Sequence, residues 1–281
     1  MKYGIIVDSG CDLEHIECTK ECAISFCRAP LKLQVGEKVF VDDFALDVQQ
    51  YMQELTDYPG KSGSAAPSPG EWYDAYKTAD EVFAITITGT LSGSYASAMT
   101  ARNILLEEEP DKKICVIDSK SAGPELTLLV MKLQEFMKQG DSFDTIVTKI
   151  TDYQNKTHLL FVLESLDSLM KNGRISKLEG GMAGILGIKI LGCASKEGTL
   201  AVLEKCRGKL NAYQHMIKEM AKKGYHGSKV IISHCFNQEK AEYIKEQIQK
   251  LYPKSHITIM ATSGLCSYYA QRGGILLAFE E

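Results

Sequence analysis

Short apolar segments alternate with helical patterns along the first half of the chain, and this alternation most restricts the fold. Segments typical of strands buried on both faces lie at residues 3–8, 23–26, 31–34, 82–88 and 113–118. Helical patterns lie between or after them, at residues 48–56, 70–77, 94–108 and 124–138. Strands that alternate with helices form a parallel sheet covered by helices on both faces. The sequence therefore predicts a three-layer α/β domain.

The second half repeats this mixture after a short polar junction at residues 152–157. Strand patterns lie at residues 158–163, 188–193, 200–206, 229–235, 256–262 and 274–279, and helical patterns at 165–171, 211–223 and 238–252. A junction this short favours two abutting domains over a flexible tether. We therefore expect an N-terminal α/β domain over residues 1–156 and a C-terminal α/β domain over residues 157–281.

Charge and hydropathy exclude several classes of function. The net charge is -4 and the isoelectric point is near 5.9, whereas nucleic-acid binding needs a basic face. No apolar run approaches the roughly 18 residues of a membrane-spanning helix, and the apolar part of the first strand is too short for a signal peptide. A cytoplasmic protein is expected, with its nine cysteines reduced.

Five residues near the N-terminus could suggest a metal site: Cys11, His15, Cys18, Cys22 and Cys27. Their spacing contains no Cys-x-x-Cys pair and has no matching second pair later in the chain. Inert, buried thiols are therefore favoured over a metal site, and no metal is expected.

Two polar turns, at residues 64–68 and 88–95, each lead into a helical pattern. Such turns offer Ser and Thr hydroxyls and free backbone N–H groups to an anion. Neither turn carries a histidine, a metal cluster or a pair of carboxylates. The two turns therefore favour binding a negatively charged group over transforming it.

Familiar catalytic patterns are absent or incomplete. There is no phosphate-binding loop and no Gly-x-Gly-x-x-Gly pattern, and the glycines at 180, 181, 184 and 187 favour close helix packing. Residues 89–93 resemble a nucleophile elbow but lack its glycine spacing around Ser92. His234 is the candidate base, although a structural histidine is favoured. Asp8 and Asp118 each end a strand before a serine, and either cap their own turns or face a ligand crevice.

Six segments, in the same order, resemble the DegV family. They are Asp8-Ser9-Gly10-Cys11-Asp12-Leu13, Leu91-Ser92-Gly93-Ser94-Tyr95 with Ser97-Ala98, Ile117-Asp118-Ser119, Gly173-Arg174-Ile175-Ser176, Ile188-Lys189-Ile190-Leu191 and Lys205-Cys206-Arg207-Gly208. The matches cover nearly the whole chain.

The resemblance implies two α/β domains and one long-chain fatty acid, such as palmitate, stearate or oleate, bound in a tunnel. It places the carboxylate contacts at Ser64 and Ser92, with Gly93 beside them, and implies no cofactor. In several bacteria such proteins are the FakB-type subunits that present the acid to a separate fatty acid kinase subunit. Thr262 stands where the family has a histidine near the head group. It is expected to face the ligand, and the change bears on presentation to a kinase.

Apolar residues of the second half are the candidates for the tail pocket, although ordinary core packing is the alternative for each. They are Phe161, Leu163, Leu166, Met170, Met182, Ile185, Leu186 and Ile190. Arg174, in a turn at the domain junction, is expected to pair with the ligand or a partner, or to lie in a plain surface turn.

The sequence therefore favours a non-enzymatic fatty-acid-binding protein of lipid metabolism. A small-molecule acyl- or phosphotransferase using the same crevice is the alternative, and it requires His234 as a base near Ser92. A third hypothesis is a module that kept the fold and lost the ligand.

Overall fold

The structure is a computed structural model of the chain and describes residues 2–16, 23–175 and 188–281. Its strands are β1 (Tyr3–Asp8), β2 (Ile24–Ala29), β3 (Lys32–Val35), β4 (Lys38–Val41), β5 (Ser62–Ala65), β6 (Glu81–Thr86), β7 (Lys113–Asp118), β8 (Thr157–Leu163), β9 (Ile188–Ala194), β10 (Leu200–Arg207), β11 (Lys229–His234), β12 (His256–Ala261) and β13 (Ile275–Glu280). Its helices are α1 (Val48–Asp57), α2 (Pro69–Tyr76), α3 (Ser94–Glu108), α4 (Pro124–Lys138), α5 (Phe143–Gln154), α6 (Asp167–Lys171), α7 (Lys209–Lys222), α8 (Gln238–Leu251) and α9 (Gly264–Ala270). Within these described ranges, no helix combines the length and apolar character that crossing a bilayer requires.

A four-stranded parallel sheet in the order β2-β1-β6-β7 forms the core of the N-terminal half. Every residue of the central strand β1 is buried. Successive side chains of a strand point to opposite faces, so Ile5 and Val7 join one apolar cluster while Ile6 joins another. The predicted α/β fold is confirmed, since the sheet carries an apolar layer on each face.

The predicted strand at residues 31–34 does not enter this sheet. It forms β3, the centre of a small antiparallel sheet in the order β4-β3-β5. Only Gly36 and Glu37 separate β3 from β4, and a connection that short requires antiparallel strands. Ser64 therefore lies in β5, paired with Leu33, and not in the turn that the sequence predicts.

A six-stranded mixed sheet in the order β10-β9-β8-β13-β11-β12 forms the C-terminal half. The alternation of side chains along β8 separates two apolar layers. Leu160 and Val162 pack in a cluster with residues of α7 and α8, whereas Leu159, Phe161 and Leu163 face a second cluster that includes Leu31 and Leu33 of the N-terminal half. We propose the domain boundary at residues 156 and 157 because this sheet begins with β8.

Buried carboxylates of the N-terminal half bind the N-terminus of α9 in the C-terminal half. Asp42 accepts hydrogen bonds from the backbone N–H groups of Gly264 (3.0 Å) and Leu265 (2.6 Å), and Asp12 accepts one from Ser263 (2.9 Å). The free N–H groups of a first helical turn favour such anionic partners. These bonds fix α9 against the N-terminal half.

Substitution of Asp42 by Asn tests this connection. Burial raises the pKa of Asp42 to about 7, above the roughly 3.9 of an unfolded aspartate. Folding therefore takes up a proton between these values, and the stabilisation from Asp42 falls as pH rises from about 4 to about 7. Because one amide oxygen replaces two acceptors, we expect Asp42→Asn to lower the free energy of unfolding by about 1–2 kcal/mol. This loss should be larger at pH 5 than at pH 8, because the stabilisation from wild-type Asp42 falls over that range.

Urea unfolding at the two pH values measures this difference. Asp43→Asn is the matched control, since Asp43 is the exposed neighbour of Asp42 and accepts a single local bond from the backbone N–H of Ala45. An equal loss at both pH values, or a larger one at pH 8, would contradict the role assigned to Asp42.

Candidate functional site

Asp8, at the end of β1, fastens both ends of the loop between β6 and α3. Its carboxylate accepts hydrogen bonds from the N–H of Ile87 (2.9 Å) and the hydroxyl of Ser94 (2.5 Å), and also from the N–H of Gly10 in its own turn (2.9 Å). Burial raises the pKa of Asp8 to about 6, and these donors oppose the shift. Asp8 therefore caps its turn, as the sequence allows, and also positions the loop that carries Ser92.

Asp118, at the end of β7, supports the same loop from the neighbouring strand. Its Oδ1 accepts hydrogen bonds from the N–H of Gly89 and of Lys120, both at 3.0 Å. The two aspartates whose roles the sequence leaves open thus both hold the β6–α3 loop. Because their donors are backbone or serine groups of the protein, we infer positioning roles for both.

The C-terminal half holds the β6–α3 loop from the other side. The hydroxyls of Thr88 (2.8 Å) and Thr90 (2.6 Å) donate to the carbonyl of Gly198, in the turn between β9 and β10. Arg174 donates from Nε to the carbonyl of Leu91 (3.2 Å). Residues of both halves of the molecule therefore hold the β6–α3 loop.

Gly198 is required at the point of contact. Its φ of +84° is unfavourable for other residues, and a Cβ there would collide with the hydroxyl of Thr88. Gly140 has a similar φ of +78°, but a Cβ there would meet nothing within 4 Å. Gly140 and Gly198 therefore share a left-handed backbone conformation, and only at Gly198 would a Cβ collide with a neighbouring side chain.

We therefore expect Gly140→Ala to cost only the strain of the left-handed conformation, about 1–2 kcal/mol, and Gly198→Ala to cost clearly more. Urea unfolding of both variants gives the comparison. Equal losses would show that the contact between Gly198 and Thr88 tolerates a methyl group and does not fix the loop.

Three segments meet at the polar mouth of an internal cavity: the end of β5, the β6–α3 loop and the turn after α6. They contribute Ser64, Ser92, Gly93 and Arg174 to its wall. An ideal Cβ on Gly93 would lie 3.7 Å from the Cβ of Ala66, so the first two segments are adjacent. Ser92 Oγ accepts a hydrogen bond from the N–H of Ser94 (3.2 Å), which leaves its own proton available for donation.

Tyr269 is the fourth polar side chain described at this mouth, after Ser64, Ser92 and Arg174, and no sequence pattern indicated it. Its hydroxyl lies 3.0 Å from Ser64 Oγ, and the charge of Arg174 acts on the phenol. Arg174 donates to the carbonyls of Leu91 and Asn172, and in the described ranges it forms no ion pair with a carboxylate. Among the described residues, no carboxylate therefore compensates its positive charge beside the hydroxyls.

Apolar and small residues form the rest of the described cavity wall. The cavity has a volume of about 110 Å³, against the roughly 10–15 Å³ that a single water molecule needs. Its apolar and small lining residues are Leu31, Ala66, Ile87, Leu91, Ala122, Leu159, Phe161, Leu163, Leu169, Leu200, Leu265, Cys266, Ala270 and Leu276. The arrangement suits an amphipathic ligand with an anionic head and an apolar body.

Only some of the residues predicted to form the tail pocket lie in the described cavity wall. Phe161 and Leu163 line the cavity. Leu166 and Ile190 are buried in the apolar cluster around it and are not part of its described wall. Met170 packs against the same cluster. Three further candidates, Met182, Ile185 and Leu186, lie outside the described residues.

Thr262 does not face the cavity, so its expected position is corrected. It follows the last residue of β12, its Oγ1 lies 2.7 Å from Ser267 Oγ in α9, and its N–H donates to the carbonyl of His234 (3.1 Å). Its hydroxyl is therefore engaged between β11 and α9. His234 is also absent from the described wall, and its Nδ1 accepts from the N–H of Asn237 (3.3 Å).

The cysteines near the N-terminus behave as packed thiols where the structure describes them. Burial raises the pKa of Cys11 to about 12, and its Sγ lies 3.8 Å from Thr127 Oγ1. Cys18 and Cys22 lie outside the described residues.

Elsewhere, Glu204, Cys206 and His215 bring potential metal ligands within 4.8 Å of one another. There, His215 Nδ1 and Glu204 Oε2 form a hydrogen bond at 2.5 Å.

The fold and the site together define a class: an α/β protein with a parallel, a mixed and a small antiparallel sheet, and with an apolar cavity whose polar mouth lies between its halves. The chain belongs to the DegV family, since the family model described as "Uncharacterised protein, DegV family" matches residues 2–280. It is 46% identical over 280 residues to a DegV domain-containing protein of Streptococcus pneumoniae strain R6, covering 100% of this chain and 99% of that protein.

Two solved structures resemble the chain over nearly their whole lengths. One is the fatty acid kinase B3 protein of Streptococcus pneumoniae loaded with linoleic acid, with a TM-score of 0.96, 45% identity, and coverage of 100% of this chain and 99% of that one. The other is a DegV family protein from Eubacterium eligens loaded with heptadecanoic acid, with a TM-score of 0.93, 37% identity and 98% coverage of each chain.

Proposed function

We propose that this protein binds one long-chain fatty acid, with the carboxylate at the polar mouth and the tail in the apolar cavity. The observation that carries the proposal is the composition of the cavity wall. Ser64, Ser92, Gly93 and Arg174 converge on one apolar space. The relatives loaded with linoleic and heptadecanoic acid support this class of ligand. Palmitate, stearate and oleate are the acids to test first.

The tail supplies most of the affinity in this proposal. Burial of a methylene group is worth about 0.8 kcal/mol, so a sixteen-carbon tail gains on the order of 10 kcal/mol before its ordering is subtracted. A hydrogen bond to a charged group contributes about 1.5–3 kcal/mol. The hydroxyls and Arg174 therefore orient the acid in the cavity and discriminate its charged end from the tail.

We propose a carrier and not an enzyme. A transferase using this crevice needs a base beside Ser92, and no histidine belongs to the described cavity wall. The buried Asp8 is close to the loop, but its oxygens accept three donors of the protein itself. Serine, arginine and tyrosine at the mouth can bind an acid group, and they leave Ser92 without an evident proton acceptor.

A fatty acid kinase is the partner that we propose. The support is the similarity to the fatty acid kinase B3 protein, which spans the whole of this chain. A cytoplasmic location fits this role, and the described cysteines are all free thiols, as expected in a reducing compartment. In this proposal the protein presents the acid head group at the mouth for phosphorylation by the kinase.

Lipid extraction and mass spectrometry of the purified protein test the proposal directly. We expect one long-chain fatty acid for each chain, because burial of the tail in a mostly apolar cavity retains the ligand through purification. Protein that carries no lipid and also fails to bind added palmitate or oleate would refute fatty-acid binding.

Replacement of Ser92 tests the head-group end. We expect Ser92→Ala to weaken palmitate binding about tenfold or more, as a lost hydrogen bond to a charged group does, while binding persists because the tail is untouched. Ser97→Ala is the matched control, since Ser97 lies in α3 and is not part of the described wall. Equal affinities for the two variants in a calorimetric titration would remove Ser92 from the site.

A further inference from the structure

Two adjacent tyrosines of α9 pair with alternate serines of β5. The hydroxyl of Tyr268 lies 3.0 Å from Ser62 Oγ, and that of Tyr269 lies 3.0 Å from Ser64 Oγ. Ser62 and Ser64 are two residues apart, so they share a face of the strand. Helix α9 therefore packs against β5 in a single register, in which each phenol lies opposite one of the two serines.

The two tyrosines differ in what else they face. Tyr268 is 1% exposed, and its hydroxyl also accepts a hydrogen bond from the side-chain amide of Asn172 (2.8 Å). Tyr269 lines the cavity together with Ser64, Ser92 and Arg174. Apart from Ser64, its hydroxyl has no hydrogen-bond partner among the described residues. Tyr268 is thus engaged with the protein, whereas the hydroxyl of Tyr269 is directed to the mouth.

The phenol of Tyr269 is neutral, so it can act only through hydrogen bonds. Burial raises its pKa above the usual value, while the hydrogen bond to Ser64 and the charge of Arg174 oppose the shift. A protonated phenol retains a proton to donate. The Arg174 guanidinium lies at the same mouth, so this donor faces a place where negative charge is favourable.

We propose that Tyr269 is a ligand of the fatty-acid carboxylate, donating its hydroxyl proton to the acid group while Ser64 and Arg174 bind beside it. The inference rests on the proposed function and names a residue that determines specificity for the acid over uncharged lipids. It also gives α9 a function: the helix that Asp12 and Asp42 fix at one end delivers a head-group donor from its other end.

The experiment compares Tyr269→Phe with Tyr268→Phe, each of which removes one oxygen from a neighbouring phenol of the same helix. Affinities for oleate and for oleyl alcohol are measured by competition with a fluorescent fatty acid. We expect Tyr269→Phe to weaken oleate binding at least about tenfold more than binding of the alcohol, since hydrogen bonds to a charged acceptor are the stronger ones. Tyr268→Phe should leave the ratio of the two affinities at the wild-type value.

Other outcomes would overturn the assignment. If Tyr269→Phe lowers both affinities equally, the hydroxyl only maintains the structure of the mouth. If it changes neither, or if Tyr268→Phe changes the ratio as much, Tyr269 is not a carboxylate ligand. Wild-type protein that binds neither lipid would refute the proposed function itself, which separates that failure from a failure of this inference alone.

The same comparison with Ser64→Ala covers the case in which Tyr269→Phe folds poorly. Loss of the serine hydroxyl removes the partner of Tyr269 and leaves the phenol in place. We expect selectivity for oleate over the alcohol to fall and not to vanish, because Tyr269 and Arg174 remain. A complete loss of selectivity would assign the discrimination to Ser64 and would overturn the role of Tyr269.

Discussion

Hydrogen bonds from backbone N–H groups to four aspartates, of which Asp8, Asp12 and Asp42 are buried, are the interaction on which the cavity depends. Asp8 and Asp118 stand at the ends of parallel strands and hold the β6–α3 loop, while Asp12 and Asp42 hold the first turn of α9. Burying a carboxylate is unfavourable unless donors surround it. Each of the three buried carboxyl groups therefore stabilises the structure only while the segments it joins keep their positions.

The site is consequently a property of the whole chain. Ser64 comes from the small antiparallel sheet, Ser92 from a loop of the parallel sheet, and Arg174 and Tyr269 from the C-terminal half. Neither half contains a complete mouth. The hydrogen bonds of Thr88 and Thr90 to Gly198 and of Arg174 to Leu91 join these parts. Folding of the two halves against each other is thus the step that creates the binding site.

Much of this organisation was predictable from the sequence, because the buried strands carry clear local patterns. The bounds of α3 and α4 agree with their predicted ranges, and four of the five early strand patterns form the parallel sheet. The prediction was wrong where long-range pairing decides the structure. Ser64 appears in a turn-like sequence, and only its pairing with Leu33 makes it part of a strand.

Helix α9 shows the same limit at the site. It has seven residues and begins with glycine, so its local signal is weak. Its position depends on Asp12 and Asp42, more than 200 residues away in sequence. Tyr269 could therefore not be assigned from local pattern, and Thr262 was misplaced for the same reason. The available signal was Ser263, which caps the helix by accepting a hydrogen bond from Cys266.

The alternation along β8 has a consequence for how such a protein can diverge. Leu159, Phe161 and Leu163 shape the space for the ligand, while Leu160 and Val162 anchor the layer that contains α7 and α8. Substitutions at these three cavity-lining positions can change ligand preference without changing the fold. Insertion or deletion of a single residue in this strand would exchange the two sets of side chains. Point substitution, and not a change of length, is thus the route open to this strand for adapting to new lipids.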